Sequence, residues 1–380
     1  MLRASLATLG LAVLATAAFA QSAEPPKSGK YYVYIGTYTG KDGSKGIYRS
    51  ELDLATGKLS APEVAAEVGS PSFLAIAPNG KALYAVGEAA GGKDGGGVYS
   101  FSIDPATGKL TKLNQNTSGG AGPCHISVDS TGKMAVVANY GGGSVSAFKL
   151  KDDGSIEERS AFVQHKGSSV NKGRQSEPHA HCGFFDSTGK YALFADLGLD
   201  QMLVYAVDAA KGSLTPSQIV KLPDGAGPRH FHLAPSNDLL FVCGELDSTI
   251  NVVKIDFEKG KNEVVQSHST LPDSKPVKGN STAECRIHPS GKYVYVSNRG
   301  HNSIAAFGWD GSKVTPIGHA TEGIKVPRNF NIDPTGQWML VANQDGGDVV
   351  VFKIDEKGIP QPTGNKIEVS KAVCVKFLAK

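Results

Sequence analysis

The hydrophobic pattern of the chain consists of short apolar runs separated by Gly-containing turns, and few segments keep the 3.6-residue period of a helix. One phrase recurs: a polar or Pro-containing start, a strand, a tight turn, a second strand, another turn and a third strand. Six copies of the phrase begin at Pro71, Pro123, Pro178, Pro228, Ala283 and Pro327. Their first turns are centred on Gly80, Gly132, Gly189, Asn237, Gly291 and Gly336. The pattern therefore predicts an all-β repeat protein.

The spacing of the copies identifies the kind of repeat. Successive starts lie between 44 and 55 residues apart. Periods of about 40 to 50 residues with several strands per unit are typical of β-propeller blades, each of which is a small antiparallel sheet. A solenoid would have helices or shorter periods, and a sandwich would not repeat its turn chemistry. We therefore expect a β-propeller.

The two ends of the repeat region complete each other. Residues 372–377 have the pattern of a first strand with no continuation, whereas residues 31–37 and 46–52 have that of second and third strands with no first strand. One blade assembled from both termini satisfies both ends and removes the unpaired sheet edges of an open ring. The sequence predicts a seven-bladed β-propeller over residues 30–380, with the last blade closed by strands from both termini.

The N-terminus has the pattern of a secretory signal. Arg3 supplies a positive start, residues 6–18 are largely apolar, and Ala18 and Ala20 are the small residues that a signal peptidase requires. The apolar run is too short to span a bilayer, which takes about 20 apolar residues. We expect cleavage between Ala20 and Gln21, a polar leader over residues 21–29, and a periplasmic or secreted protein without a membrane span.

Charge and cysteine content narrow the function classes. The 39 basic and 36 acidic residues are nearly balanced and no basic run occurs, so nucleic acid is not an expected partner. Five cysteines without regular spacing do not form a disulfide framework, and we expect small buried strand residues rather than one or two disulfides. Neither a Gly-x-Ser-x-Gly elbow nor a strand-to-helix Gly-x-Gly-x-x-Gly loop occurs. No cofactor is predicted, and no feature specifies the oligomeric state.

Hairpin geometry places two sets of positions at one mouth of the channel. The start of a first strand and the end of a second strand lie side by side in an antiparallel hairpin, and first strands line a propeller channel. Eight residues before the turn residue, the copies carry Ser72, Cys124, His181, Arg229, Ala283 and Arg328. Seven residues before it, they carry Phe73, His125, Cys182, His230, Glu284 and Asn329. Eight residues after it, they carry Glu88, Tyr140, Leu197, Glu245, Arg299 and Gln344.

Several matching positions hold different ionisable residues, which a purely structural repeat would not require. In addition, five of the ten histidines fall at the first-strand starts of three consecutive copies, namely His125, His179, His181, His230 and His232. One interpretation is a functional site with mutually perturbed groups. The other is a set of paired polar groups that only fills the channel.

Four segments carry a resemblance to a known family. They are residues 34–39, which read Tyr-Ile-Gly-Thr-Tyr-Thr, residues 46–48, residues 227–230 with Gly-Pro-Arg-His, and residues 326–330 with Val-Pro-Arg-Asn-Phe. These segments resemble the 6-phosphogluconolactonase-type propellers, a family that also includes the fungal carboxy-cis,cis-muconate cyclase. Residues 295–298 resemble the surface-layer YVTN repeat as well. The resemblance covers essentially the whole chain after the signal.

The resemblance implies a catalytic set made of His181, Arg229, Glu245 and Arg299. It favours His181 over His179, because His181 aligns with Arg229. We expect the other ionisable residues at the same mouth to contact the substrate; they are His125, His179, His230, Glu284 and Arg328.

The implied activity is hydrolysis of a sugar lactone. Glu245 would be the base that activates water, with a pKa held near neutrality in a partly dry cleft. His181 would be an alternative base or the proton donor to the leaving alkoxide. Arg229 and Arg299 would bind the oxyanion and any carboxylate or phosphate of the substrate. Export of the chain favours an unphosphorylated lactone over the phosphorylated one, whose pathway is cytoplasmic.

Three alternatives stay open at this stage. The same four groups could serve a cycloisomerase of the muconate-cyclase type, in which an acid protonates an alkene. A metal ion held by His179 and His181 with His125 or His230, or a calcium ion, is a rival, although the arginines would repel a cation. The third alternative is a non-catalytic exported propeller that binds a ligand or a protein.

Overall fold

The computed structural model describes residues 29–40, 43–88 and 96–380. The predicted signal segment 1–20 and all of the predicted leader except Gly29 lie outside the described residues. Within the described residues the secondary structure is 28 strands and one short 3₁₀ turn, Pro272–Ser274. In the part of the chain that is described, no helix has the length and apolar character needed to cross a bilayer.

The strands form seven antiparallel sheets of four strands each. Blade 1 consists of β4 (Leu74–Ile76), β5 (Ala82–Gly87), β6 (Gly97–Ile103) and β7 (Leu110–Thr117). Blade 2 consists of β8 (Pro123–Val128), β9 (Met134–Asn139), β10 (Ser144–Leu150) and β11 (Ile156–Gln164). Blade 3 consists of β12 (Ala180–Phe185), β13 (Tyr191–Asp196), β14 (Gln201–Asp208) and β15 (Ser213–Lys221). Blade 4 consists of β16 (Pro228–Leu233), β17 (Leu239–Gly244), β18 (Thr249–Lys254) and β19 (Glu263–Ser269). Blade 5 consists of β20 (Thr282–Ile287), β21 (Tyr293–Asn298), β22 (Ser303–Trp309) and β23 (Val314–Ala320). Blade 6 consists of β24 (Pro327–Ile332), β25 (Trp338–Asn343), β26 (Asp348–Ile354) and β27 (Pro360–Glu368). Blade 7 consists of β28 (Ala372–Ala379), β1 (Lys30–Thr37), β2 (Gly46–Asp53) and β3 (Glu63–Glu67).

The first strands of the blades form a closed ring. Each first strand contacts that of the next blade around the whole circle, from β4 through β8, β12, β16, β20 and β24 to β28, which contacts β4 again. In blade 7 the C-terminal strand β28 pairs with β1 from Tyr31 opposite Ala379 to Thr37 opposite Ala372. The predicted seven-bladed propeller with a blade closed by both termini is confirmed.

Apolar packing between neighbouring sheets joins the blades. The inner strands are buried on both faces, and each apolar cluster includes residues of adjacent blades. One cluster packs Trp338 and Leu340 of blade 6 against Tyr31 and Val33 of blade 7. The Trp338 indole donates to the Leu54 carbonyl at 3.0 Å and lies against Gly57, where a Cβ would come within 2.3 Å of the ring. Glycine also suits the left-handed φ of +67° there. The turn between β2 and β3 therefore locks blade 7 onto blade 6.

The turns after the first strands depend on buried aspartates rather than on glycine alone. Asp186, at the end of β12, accepts hydrogen bonds at Oδ2 from the Thr188 amide, the Thr188 hydroxyl and the Asn237 side chain, and at Oδ1 from the Tyr191 amide. Asp129 and Asp333 hold the equivalent turns of blades 2 and 6 through Thr131 and Thr335. These contacts explain the recurring Thr-Gly at the turn.

The cysteines are free thiols. All five are buried and unpaired, and each lies in a strand. The expectation of small buried strand residues is confirmed, and the alternative of one or two disulfides is wrong.

Removal of β28 tests the closure of the ring. A chain that ends at Lys371 leaves the inner edge of β1 unpaired and opens the ring between β24 and β4, so we expect aggregation or loss of the cooperative unfolding transition. Circular dichroism melting and size-exclusion chromatography measure both effects. Deletion of Lys380 alone is the control and should leave the transition in place. A truncated chain that unfolds at the temperature of the full chain would contradict the closure.

Candidate active site

A polar cavity of about 330 Å³ opens at one mouth of the channel. Its wall consists of Glu88, Gly122, Cys124, Tyr140, Gly141, Arg174, His181, Glu245, Arg299 and Arg328. Seven of these ten residues belong to the positions eight residues before or eight residues after the turn residue. The predicted meeting of first-strand starts and second-strand ends at one mouth is therefore confirmed.

Bulges at the strand starts aim the side chains of this wall. The pairing of the first strand with the second shifts register around Cys124 in blade 2, His181 in blade 3, Arg229 in blade 4 and Arg328 in blade 6. A regular strand would send neighbouring side chains to opposite faces, whereas a bulge sets two residues against one and re-aims a side chain. The bulges explain how positions eight and seven before the turn can both serve the channel.

Glu245 is the centre of the charged network. Its Oε2 lies 2.8 Å from Nε of Arg229 and 3.0 Å from Nη2 of Arg299, while its Oε1 accepts a hydrogen bond of 2.7 Å from Nη2 of Arg174. The Arg229 contact is an ion pair whose N–H does not point at the carboxylate. Arg229 is 1% exposed and also donates through Nη1 to the Ala283 carbonyl. Both oxygens of Glu245 are therefore occupied by arginines from three separate parts of the chain.

The pKa of Glu245 is shifted in the direction opposite to the one expected. Burial disfavours its ionised form, but the charges of Arg299 and Arg229 and the hydrogen bond from Arg174 outweigh burial and lower the pKa of Glu245 to about 2. The prediction that the pKa of this carboxyl is raised towards neutrality is wrong, because it considered the effect of burial and not that of the three guanidinium groups. Glu245 is a fully ionised, fully paired carboxylate at neutral pH.

His181 lies in the cavity wall as a neutral imidazole. Burial, followed by the charges of Arg229, His230, Arg328 and Arg299, lowers its pKa well below the usual value. Its Nδ1 lies 3.8 Å from the Cys124 sulfur, and its Nε2 makes no hydrogen bond to any described residue and is not occluded. His181 therefore offers the cavity a ring nitrogen of a neutral imidazole that has no hydrogen-bond partner among the described residues.

His179 occupies a different position. Its ring stacks on Tyr140 with centroids 4.5 Å apart, and its Nδ1 lies 3.0 Å from the Tyr140 carbonyl. It does not belong to the cavity wall. The choice of His181 over His179 as the cavity residue agrees with the structure.

Two arginines of the wall keep donors free. Arg299 uses Nη2 for Glu245 and for the Thr282 carbonyl at 2.9 Å, which leaves Nε and Nη1 without acceptors among the described residues. Burial and the charge of Arg229 lower the pKa of Arg299 to about 10, so it stays protonated at neutral pH. Arg328 stacks over Tyr38 at 5.2 Å and makes neither an ion pair nor a hydrogen bond within the described part of the chain. Nη1 of Arg299 and the guanidinium of Arg328 are therefore available to a ligand, whereas Nε of Arg299 is occluded.

Three of the expected substrate contacts lie deeper in the channel. His125, His230 and Glu284 do not belong to the cavity wall. His230 Nδ1 lies 3.1 Å from Oε1 of Glu284, and the His125 ring packs 4.0 Å from Phe73. Burial lowers the pKa of His230 to about 4. The ionisable cluster thus divides into two layers: residues that line the cavity at the mouth and a buried polar filling beneath them.

The sequence reasoning missed Arg174. This residue lies in the connection between β11 and β12, residues 165–179, and bridges the Tyr140 hydroxyl at 3.1 Å to Glu245. The connection has no counterpart at that length in the other blades, so the repeat alignment could not place it. Glu88, Tyr140 and Cys124 were in the aligned positions but were not selected. Burial raises the pKa of Cys124 to about 12, so its thiol is no nucleophile at neutral pH.

The arrangement of the His, Cys, Asp and Glu side chains in the described residues does not support metal coordination. Among the described residues no set of three or more His, Cys, Asp or Glu side chains is arranged to hold a metal ion. The histidines considered as zinc ligands are dispersed between the wall, the Tyr140 face and the channel filling.

Comparison with known proteins places this propeller among the seven-bladed propeller lactonases. The family described as "Lactonase, 7-bladed beta-propeller" matches residues 32–377. The chain is 35% identical over 353 residues to the 6-phosphogluconolactonase of Bacillus subtilis, covering 92% of this chain and 99% of that protein. It is 32% identical to that of Formosa agariphila, covering 85% and 92%.

Among solved structures, the periplasmic gluconolactonase PpgL of Pseudomonas aeruginosa superposes with a TM-score of 0.85 at 27% identity, covering 92% of this chain and 99% of that chain. The protein belongs to the seven-bladed propeller lactonase family.

The ion pairs of Glu245 predict a specific pH dependence of stability. Its folded pKa of about 2 lies below the ordinary 4.5, so the contribution is fully present above about pH 4.5 and is lost as the pH falls towards 2. We expect Glu245→Gln to lower the free energy of unfolding by about 3 kcal/mol at pH 7, since one partner of a buried network is removed. Urea unfolding of both proteins from pH 7 to pH 3 should show the gap narrowing in acid.

The exposed pair Arg49–Glu63, at 2.8 Å, supplies the control for that experiment. Glu63→Gln should change stability by less than about 1 kcal/mol at every pH. A Glu245→Gln gap that does not change with pH would contradict the low pKa.

Proposed function

We propose that the protein hydrolyses a sugar lactone, either an unphosphorylated aldonolactone or a 6-phosphogluconolactone-like substrate, in the cavity at the channel mouth. The proposal is carried by three side chains that line the same cavity. They are the neutral imidazole of His181, whose Nε2 has no hydrogen-bond partner among the described residues, and the guanidinium groups of Arg299 and Arg328, which keep donors free. Hydrolysis of a lactone needs a base for water and donors for the tetrahedral oxyanion. Both are present in a chain of the lactonase family.

His181 is the base in the proposed reaction. Its Nε2 accepts a proton from water while the water oxygen attacks the lactone carbonyl carbon, which gives a tetrahedral oxyanion and an imidazolium. When the bond from carbon to the ring oxygen breaks, the imidazolium returns the proton to the leaving alkoxide, and the open-chain acid and the neutral imidazole remain. The neighbouring arginines disfavour a long-lived imidazolium, which promotes return of the proton.

Arg299 and Arg328 hold the substrate and the oxyanion. A guanidinium presents a rigid set of donors, and donors fixed before the reaction stabilise developing negative charge without reorganisation. Arg299 is held by Glu245 and the Thr282 carbonyl, and Arg328 by the ring of Tyr38. Arg299 is the better placed for the oxyanion because it is the more constrained, and Arg328 suits a substituent of the substrate.

Glu245 has a supporting role in this scheme. A carboxylate with a pKa of about 2 is a weak base, and both its oxygens are already paired. It neutralises the like charges of Arg174, Arg229 and Arg299, which lets three guanidinium groups share one small region. Of the four catalytic residues implied by the family resemblance, His181 and Arg299 keep direct roles in the proposed reaction. Glu245 and Arg229 support them instead, because Glu245 is fully paired and Arg229 is not part of the cavity wall.

The charge states disfavour a cycloisomerase. That reaction requires an acid to protonate carbon, whereas His181 and Glu245 both have lowered pKa values and carry no proton at neutral pH. A hydrolase needs only the unprotonated imidazole at the start of the cycle.

Two observations bear on the substrate. The expected secretory signal and the likeness to a periplasmic gluconolactonase favour an unphosphorylated lactone in an exported protein. The cavity wall holds three arginines against two glutamates, so it also accepts a negatively charged substituent. We propose a periplasmic or secreted lactonase whose principal substrate is an unphosphorylated sugar lactone.

The imidazole supplies the first kinetic test. We expect His181→Gln to lower kcat by about 10²- to 10⁴-fold with little change in KM, because a general base acts in the transition state. Assays with δ-gluconolactone and its 6-phosphate, corrected for spontaneous hydrolysis, measure this. Wild-type kcat/KM should show no inflection near pH 6.5, since the pKa of His181 lies well below that value.

His179→Gln is the matched comparison, because His179 lies outside the cavity wall. It should retain most of the activity. Equal losses in the two variants would argue against His181 as the base, and absence of activity on a panel of lactones would favour a binding propeller.

The free guanidinium supplies the second test. Arg328→Gln should raise KM about tenfold or more, with a smaller change in kcat and a larger effect on the phosphorylated lactone. Its stability should change little, because among the described residues Arg328 makes neither a hydrogen bond nor a close ion pair and contacts Tyr38 by stacking. Arg229→Gln, which breaks a buried ion pair, should be clearly less stable in the same urea titration. An Arg328 variant with unaltered KM for both lactones would remove Arg328 from substrate binding.

A further inference from the structure

Another buried carboxylate, Asp200, lies in the turn between β13 and β14. It is fully buried and does not belong to the cavity wall. Its backbone adopts a left-handed conformation with φ of +54°, which is uncommon for a non-glycine residue and which Asp and Asn tolerate best. A buried charge in an unusual backbone conformation calls for a physical explanation.

The explanation lies in the four hydrogen bonds that Asp200 accepts. Its Oδ1 accepts from the Gln175 side chain at 2.7 Å and from the Gly227 amide at 2.7 Å. Its Oδ2 accepts from the Ser169 hydroxyl at 2.5 Å and from the Gly225 amide at 2.7 Å. Each oxygen therefore binds one donor from the connection 165–179 and one donor from the segment that leads into β16.

Both of these segments deliver an arginine to Glu245. Gln175 immediately follows Arg174, and Gly227 lies two residues before Arg229. Arg174 and Arg229 approach different oxygens of Glu245, Oε1 and Oε2. Asp200 is thus the shared attachment of two chain segments whose side chains meet again at Glu245.

The remainder of the connection is attached to the same turn. Asp196, four residues before Asp200, contacts His165 Nδ1 at 2.7 Å and accepts from the His179 amide at 2.8 Å. Gln175 also donates to the Leu197 carbonyl at 2.9 Å. The connection is therefore held at both ends by Asp196 and in its middle by Asp200.

We propose that Asp200 is a positioning residue of the active site, which sets the placement of Arg174 and Arg229 against Glu245 and thereby the geometry of the cavity. The inference rests on the proposed function, because its kinetic consequence requires the lactonase reaction. The inference also predicts a structural effect that does not depend on the reaction. Loss of the acceptor oxygens of Asp200 should release the connection 165–179. A misplacement of about 1 Å in such a site can lower the rate about 10²-fold.

Asp200→Asn is the informative variant. Asn tolerates the left-handed backbone, so the substitution does not strain the turn. It replaces one acceptor oxygen with a donor NH₂, which leaves two of the four donors facing another donor. Asp186→Asn is the matched control: Asp186 is buried, belongs to the same blade and accepts four hydrogen bonds, but at the opposite end of β12.

Two measurements on the full chain distinguish the variants. In steady-state kinetics with δ-gluconolactone and its 6-phosphate, Asp200→Asn should lower kcat about 10²-fold, whereas Asp186→Asn should stay within about twofold of wild type. In limited trypsin digestion followed by peptide mass mapping, cleavage after Lys166, Lys172 and Arg174 should accelerate in Asp200→Asn alone. In an Arg174→Gln background, Asp200→Asn should reduce kcat less than in the wild type, because the two changes disrupt the same contact.

The outcomes separate the two proposals. If the wild type hydrolyses no lactone, the proposed function fails, while accelerated cleavage of the connection in Asp200→Asn alone would still support the attachment. If the two aspartate variants behave alike in kinetics and digestion, Asp200 is an ordinary structural residue and the inference is overturned. It is also overturned if the connection is released without loss of kcat, or if kcat falls while the connection stays protected.

Discussion

The ion pairs between Glu245 and three arginines are the constraint on which the site depends. Arg174 comes from the connection between blades 2 and 3, Arg229 from the start of blade 4, and Arg299 from the end of the second strand of blade 5. Three guanidinium groups would repel one another in so small a buried region without the carboxylate among them. Because Glu245 pairs with all three, it fixes the relative placement of parts of the chain that are far apart in sequence.

Beneath this network the channel is filled, and the filling gives the cavity its floor. Glu284 lies 3.1 Å from His230 and 3.4 Å from Arg286 and accepts from Asn329, so its charge is compensated although it is buried. The rings of His125 and His230 pack beside Phe73. A filled channel leaves a shallow site at one mouth, suited to a small molecule and closed to a threaded polymer. In blades 2, 3 and 6, the wall residue and the buried residue beneath it are neighbours along the first strand.

The electrostatics of the wall set the chemistry. Arg229 and Arg299 help to lower the pKa of Glu245 to about 2, and together with burial they also keep His181 neutral. In the hydrolysis that we propose, the neutral imidazole would be the base and the free guanidinium donors would bind the oxyanion, while the paired carboxylate holds the arginines. The acid-base assignment is therefore a property of the whole network, and removal of any one arginine alters the charge balance of the others.

Sequence alone determined the repeat, the number of blades, the closure by both termini and the positions that meet at the mouth. These follow from periodic hydrophobicity and turn chemistry, which are local and repeat along the chain. Tertiary structure decided the rest: that Arg174, outside the repeat, joins the site, that bulges separate wall residues such as His181 from filling residues such as His230, and that Glu245 is ionised rather than poised. These depend on distances between charges from different blades, and such distances exist only after the ring has closed.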